Sequence, residues 1–109
     1  MYAVVRDNTF DPEKLAQGSA NVAEFQNAHA ARPGYRGSVV VDVGAARQIT
    51  LTLWGSQEEA EAARVALGPV IQRALVPLMA KPSTLVGSGD VIFDDLSESI
   101  RPMATRAAS

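Results

Sequence analysis

Leu51-Thr52-Leu53-Trp54-Gly55-Ser56-Gln57-Glu58-Glu59-Ala60 decides the fold. From Gln48 to Trp54, alternation sets Ile49, Leu51 and Leu53 on one face and Gln48, Thr50, Thr52 and Trp54 on the other, the pattern of a strand. Ser56 and Glu59 then stand at capping-box spacing: the hydroxyl can accept from the Glu59 N–H while the carboxylate reaches back. A strand therefore passes into a helix across Gly55. Upstream, Ala31-Arg32-Pro33-Gly34-Tyr35-Arg36-Gly37 marks the opposite change. Proline drives the residue before it out of the helical region and glycine accepts positive φ, so a helix ends and a strand begins at Tyr35.

Outward from these junctions the remaining elements fall into place. Tyr2-Ala3-Val4-Val5-Arg6 reads as the first strand, closed by the turn formers Asp7-Asn8-Thr9-Phe10. Asp11 is placed to cap a helix that Pro12 opens, running to about Arg32 with Leu15, Gly18, Val22, Phe25 and His29 on one stripe. Ser38-Val39-Val40-Val41-Asp42-Val43 reads as a strand covered on both faces, and Gly44-Ala45-Ala46 as a hairpin connection. The second helix carries Ala60, Ala63, Leu67, Val70, Ile71, Ala74 and Leu78 at helical spacing, with a kink or a break expected at Gly68-Pro69. Leu85 to Asp94 reads as the fourth strand, with Gly87 and Gly89 suggesting a bulge.

The order is βαββαβ, a ferredoxin-like α+β fold. Right-handed crossovers put both helices on one side of a four-stranded antiparallel sheet. The other side, rich in valine, is then expected to be sealed by a second copy, giving a homodimer. Residues 1–94 form the expected domain, and the polar, alanine-rich stretch 95–109 a C-terminal tail, loose or laid against a partner.

Composition narrows the function classes. The chain has 109 residues, 47% of them apolar, and a net charge of −2. Lys and Arg are scattered singly, which gives no footprint for nucleic acid. No run of about 18 apolar residues speaks for a membrane span, and no basic leader speaks for secretion, so a cytoplasmic protein is expected. With no cysteine and a single histidine, no metal is expected. Trp54, the sole tryptophan, can seal the core, wall a cavity, or do both. His29 is the sole group that ordinarily titrates near neutrality, and a core role and a base role are both open to it. Tyr35 offers a phenol at a strand start. Arg73 is either surface charge or a contact for an anion at a cavity mouth.

Pro33-Gly34-Tyr35-Arg36-Gly37 entering the second strand, and Trp54-Gly55-Ser56-Gln57-Glu58-Glu59-Ala60 leaving the third, resemble the antibiotic biosynthesis monooxygenase-like domains of the dimeric α+β barrel superfamily. The resemblance covers about residues 1–94. It implies a cofactor-independent oxygenase that oxidises a small aromatic or quinone-like molecule with molecular oxygen, the substrate lying between sheet and helices. Trp54 matches the tryptophan of that pattern. The asparagine four residues before it is Thr50 here, the tyrosine early in the second helix is Ala60, and the arginine is displaced to Arg73. The haem-degrading members look to the second helix for an axial histidine, and this chain has none there. His29, Trp54 and Thr50 are thus the candidate catalytic residues, with Phe25, Tyr35 and Arg73 lining the pocket. The alternative is a dimeric module that binds or senses a small ligand without chemistry, and a third is a domain whose cavity is filled by its own side chains.

Overall fold

The computed structural model describes residues 1–96 and contains one antiparallel sheet of four strands in the order β2-β3-β1-β4. The elements run β1 (Tyr2–Thr9), α1 (Pro12–Gln17), α2 (Ser19–Ala30), β2 (Tyr35–Gly44), β3 (Arg47–Trp54), α3 (Gln57–Val70), a π-helical turn (Ile71–Leu75), a 3-10 turn (Val76–Leu78) and β4 (Thr84–Asp90). This is the α+β arrangement expected from the sequence. The dimeric state and the tail beyond residue 96 lie outside the described residues.

Several boundaries differ from the sequence reading, each for a physical reason. Asp7-Asn8-Thr9 is strand and not turn. β1 is an inner strand: all three residues pair with β3, Asp7 also with β4, and ladder pairing outweighs local turn preference. The first helix is two helices. Gly18 breaks it where the junction packs tightly on Leu78: a Cβ at Gly18 would lie 2.6 Å from Leu78 Cδ1. Asp11 does cap α1, its carboxylate accepting from the Glu13 and Lys14 N–H groups.

Pro69 does not break α3, which continues to Val70 before loosening into the π-helical turn. Proline lacks the N–H that would reach back one turn, and the disturbance is absorbed just downstream. The Asn21 amide helps there by donating to the Ala74 carbonyl at 3.1 Å. β4 begins at Thr84 and ends at Asp90, earlier at both ends than expected, and the bulge is real: the register with β1 shifts between Val5 and Arg6.

β2 is an edge strand, not one covered on both faces. Val39, Val40, Val41 and Val43 are each 45–52% exposed. Ala45 and Ala46 form the two-residue turn with φ of 55° and 60°, the left-handed pair that this hairpin type requires.

The helices cover one face of the sheet. Cross-strand register puts Tyr2, Val4, Arg6 and Asn8 of β1 beside Trp54, Thr52, Thr50 and Gln48 of β3 on that face. Trp54, Ala60, Ala63 and Leu67 form the buried cluster joining sheet to α3, with Tyr2, Val4, Tyr35, Val70 and Ile71 packed against it. The opposite face carries Ala3, Leu51 and Leu53. It is not wholly bare: with the segment after β4, through Phe93 and Leu96, these residues line a hollow of about 290 Å³. At the far end of that face Arg47 grips Asp7 through two nitrogens, which holds the Asp7 carboxyl below its usual range.

Candidate functional site

The two junctions that announced the fold meet in space. The Gly55 N–H donates to the Gly34 carbonyl at 2.8 Å. The Glu59 carboxylate lies over both glycines: a Cβ at Gly34 would sit 2.6 Å from each of its oxygens, and one at Gly55 would sit 2.5 Å from Oε1. The Ser56 hydroxyl accepts from the Glu59 N–H at 3.1 Å, as a capping box requires, but the carboxylate takes the Ser56 hydroxyl at 3.2 Å rather than the backbone N–H. This knot fixes where β3 ends and α3 begins, and so it sets Trp54.

Trp54 is 3% exposed and forms one wall of an aromatic cluster. His29 stacks on Phe25, with ring centroids 4.9 Å apart at 26°. It meets Tyr35 and Trp54 edge-on at 5.1 and 5.4 Å, and Tyr35 in turn meets Trp54 at 5.7 Å. Such geometries favour the ring quadrupoles and fix the rings relative to one another. The imidazole has no hydrogen-bond partner or carboxylate neighbour among the described residues. Burial without a partner disfavours the charged form, so the His29 pKa lies below its ordinary value.

The unfolded chain takes up this proton near pH 6.5, whereas the folded chain does so only at lower pH. Between the two values the unfolded state binds more protons, so stability rises with pH there. This contribution is complete above pH 6.5, is lost as the pH falls, and levels off below the folded pKa. Proton NMR titration should find His29 titrating below 6.5, and His29→Phe should flatten urea stability across that window. Titration at or above the ordinary value would contradict the aromatic enclosure.

Between sheet and helices lies a cavity of about 710 Å³, ample for a small-molecule guest. Of the candidate residues, Trp54, His29, Thr50 and Phe25 line it. Tyr35 stands behind the wall, touching His29 and Trp54 edge-on without lining the space. Arg73 is not at the cavity: its guanidinium points outward, 63% exposed, and pairs with Glu24. The Thr52 hydroxyl is engaged by Ser38 at 3.1 Å, while Thr50, two residues back on the same face, has no side-chain partner among the described residues.

Several polar residues of the wall were not placed there by the sequence reading, among them Arg6, Asn8 and Gln72. The signal for the first two was present, since Tyr2, Val4, Arg6 and Asn8 alternate onto one face. Ending the first strand at Arg6 concealed Asn8, while Arg6 lay within the strand as read. Glu61 and Arg64 complete the rim as an exposed pair at 2.6 Å. The donor set can hold a planar guest against the rings and meet its oxygens with a hydroxyl, two amides and a guanidinium.

A four-stranded antiparallel sheet in the order β2-β3-β1-β4 with the helical segments on one face defines the class, a ferredoxin-like α+β fold. Solved structures narrow it. A protein of unknown function from Nitrosomonas europaea superposes with a TM-score of 0.71 at 11% identity, covering 88% of this chain and 93% of that one. An antibiotic biosynthesis monooxygenase gives 0.69 at 12%, covering 84% and 99%. SnoaB, a cofactor-independent oxygenase from Streptomyces nogalater, gives 0.68 at 15%, covering 88% and 97%. The chain has the fold of the antibiotic biosynthesis monooxygenase-like domains. No family model matches the sequence, and no curated protein matches it. Among the described residues no helix is long and apolar enough to cross a membrane.

Proposed function

We propose that the domain is a cofactor-independent oxygenase-type enzyme acting on a small planar phenol or quinone precursor, working as a homodimer. The observation that supports this most is the sharing of one cavity wall by Trp54, His29, Phe25 and Thr50, in a fold that SnoaB also has. The rings would clamp the guest, and the Thr50 hydroxyl would donate to a developing oxyanion. His29, neutral at physiological pH, would accept the phenolic proton. The resulting electron-rich anion gives electrons to dioxygen. Overall, an aryl methylene and one O2 yield a carbonyl and one water, one oxygen atom staying on carbon and the other leaving with two hydrogens.

Oxygen uptake with anthrone and 1-naphthol tests this. The parent protein should consume oxygen above the buffer rate, and His29→Phe, which keeps the ring packing, should lower the rate by about 10²-fold or more, as loss of a general base does. An unchanged rate would remove His29 from the chemistry. A second reading, a ligand-binding module without turnover, is favoured by one feature: no side chain among the described residues orients or charges His29, and burial weakens it as a base. Binding without oxygen uptake would support that reading.

The homodimer proposal rests on the exposed Val39 and Val41 of β2 and on Ile49 and Leu51, which share their sheet face. Sedimentation equilibrium should show a dimer at micromolar concentration. Val41→Lys, which adds an unpaired charge to that face, should make it monomeric. A monomeric parent would contradict the proposal.

A further inference from the structure

Arg6 stands on an inner strand of the sheet, facing the helices, and its side chain lines the cavity. That is an unusual place for a guanidinium, because a partly buried cation needs an acceptor. Among the described residues Arg6 has one side-chain partner, the neutral Ser83 hydroxyl at 3.2 Å, and no acid. The other cation on the cavity wall, Arg64, is already paired with Glu61. The wall thus carries a fork of N–H donors with no negative charge to receive it. Such a fork matches a carboxylate, which it can grip through two parallel hydrogen bonds.

The sheet fixes where this charge lies relative to the rings. Arg6 pairs across the ladder with Thr50, and Tyr2 pairs with Trp54, so Arg6 and the tryptophan are separated by four residues of strand, roughly 13 Å at the backbone. The cavity runs between them: Trp54, His29 and Phe25 at one end, Arg6, Ser83 and Met79 toward the other, with Thr50 beside the arginine. A ligand filling it needs a flat apolar body at the first end and an anion at the second. We infer that the guest is an aromatic carboxylic acid, its rings among Trp54, His29 and Phe25 and its carboxylate on the Arg6 guanidinium. This rests on the reading that the cavity takes a planar guest, and not on turnover of that guest.

Titration calorimetry at low salt tests it with three probes: biphenyl-4-carboxylate, the neutral biphenyl-4-methanol, and decanoate, an acid without rings. The parent protein should bind the aromatic acid at least about tenfold more tightly than the alcohol, as expected of a charge-assisted contact. It should also bind it more tightly than decanoate. Arg6→Gln should weaken the acid by roughly 10–100-fold and leave the alcohol within about twofold, with Arg6→Lys between. Equal binding of acid and alcohol by the parent protein would overturn the inference without recourse to any variant. Equal weakening of both ligands by Arg6→Gln would do the same, by assigning the arginine a purely structural part. Decanoate binding as well as the aromatic acid would overturn the aromatic half. If the acid binds as stated and no oxygen is consumed with it or with the phenols, the oxygenase reading falls and the ligand assignment stands.

Discussion

Trp54→Ala should cost about 3–5 kcal/mol of folding stability, the range for removing a buried aromatic side chain. The indole is 3% exposed and touches both halves of the structure, packing on Ala60, Ala63 and Leu67 of α3 and meeting His29 and Tyr35 edge-on. The alanines cannot move in to fill the space, because they lie on a helix whose first turn is held by the knot of Glu59, Ser56 and the two glycines. Against a total stability of roughly 5–15 kcal/mol, the loss should lower Tm by more than about 10 °C. Trp54→Phe should retain most of the packing and cost about 1–2 kcal/mol. Urea unfolding of the three proteins measures this. A loss under about 1 kcal/mol for the alanine variant would mean that the indole is not the joint between sheet and helix.

Gly34→Ala should be the next most damaging, at about 2–4 kcal/mol, from two separable causes. The backbone there has φ of +83°, where a side chain costs about 1–2 kcal/mol. The new methyl would also meet the Glu59 carboxylate, 2.6 Å from both oxygens. Glu59→Ala on its own should cost less, about 1 kcal/mol, through loss of the Ser56 contact. In the double variant the collision disappears and only the backbone strain remains, so the two losses should fall short of additivity by about 1 kcal/mol or more. Strict additivity would show that the carboxylate does not lie against Gly34 in solution.

The same knot explains why so much of the fold could be read from the sequence. Pro33-Gly34 and Gly55-Ser56 carry backbone demands that few other residues meet, so they announce themselves locally, and Asp11 with Pro12 does likewise. What could not be read depended on neighbours distant in the chain. Asp7-Asn8-Thr9 looks like a turn until β3 and β4 are set on either side of it. Gly18 gives no hint in sequence that Leu78 will press on it. The valines of β2 have the pattern of a covered strand, yet their strand lies at the edge.

The site divides in the same way. Alternation puts Thr50 and Trp54 on one strand face and helical spacing puts His29 on the inward stripe, so their shared placement at the cavity was partly legible. Arg73 sits on the outside because it faces α2, where Glu24 takes its charge, and a helical position alone does not say which neighbour it meets. The strand boundary placed after Arg6 hid Asn8; Arg6 itself lay inside the strand as read, and an arginine alternating with Tyr2 and Val4 was a sign that this inward face would have to satisfy a charge.

A planar guest in the space beneath the helices would lie beside Trp54 and His29. A chain with one tryptophan and one histidine offers a direct test, since the indole N–H gives a single resonance and the imidazole a single Hε1 signal. On titration with 1-naphthol, the Trp54 indole and His29 signals should move together with those of Phe25 and Thr50, while the amides of Val39, Val41 and Leu51 on the opposite face stay in place. Shifts confined to that opposite face, with the Trp54 and His29 signals unmoved at saturation, would contradict it.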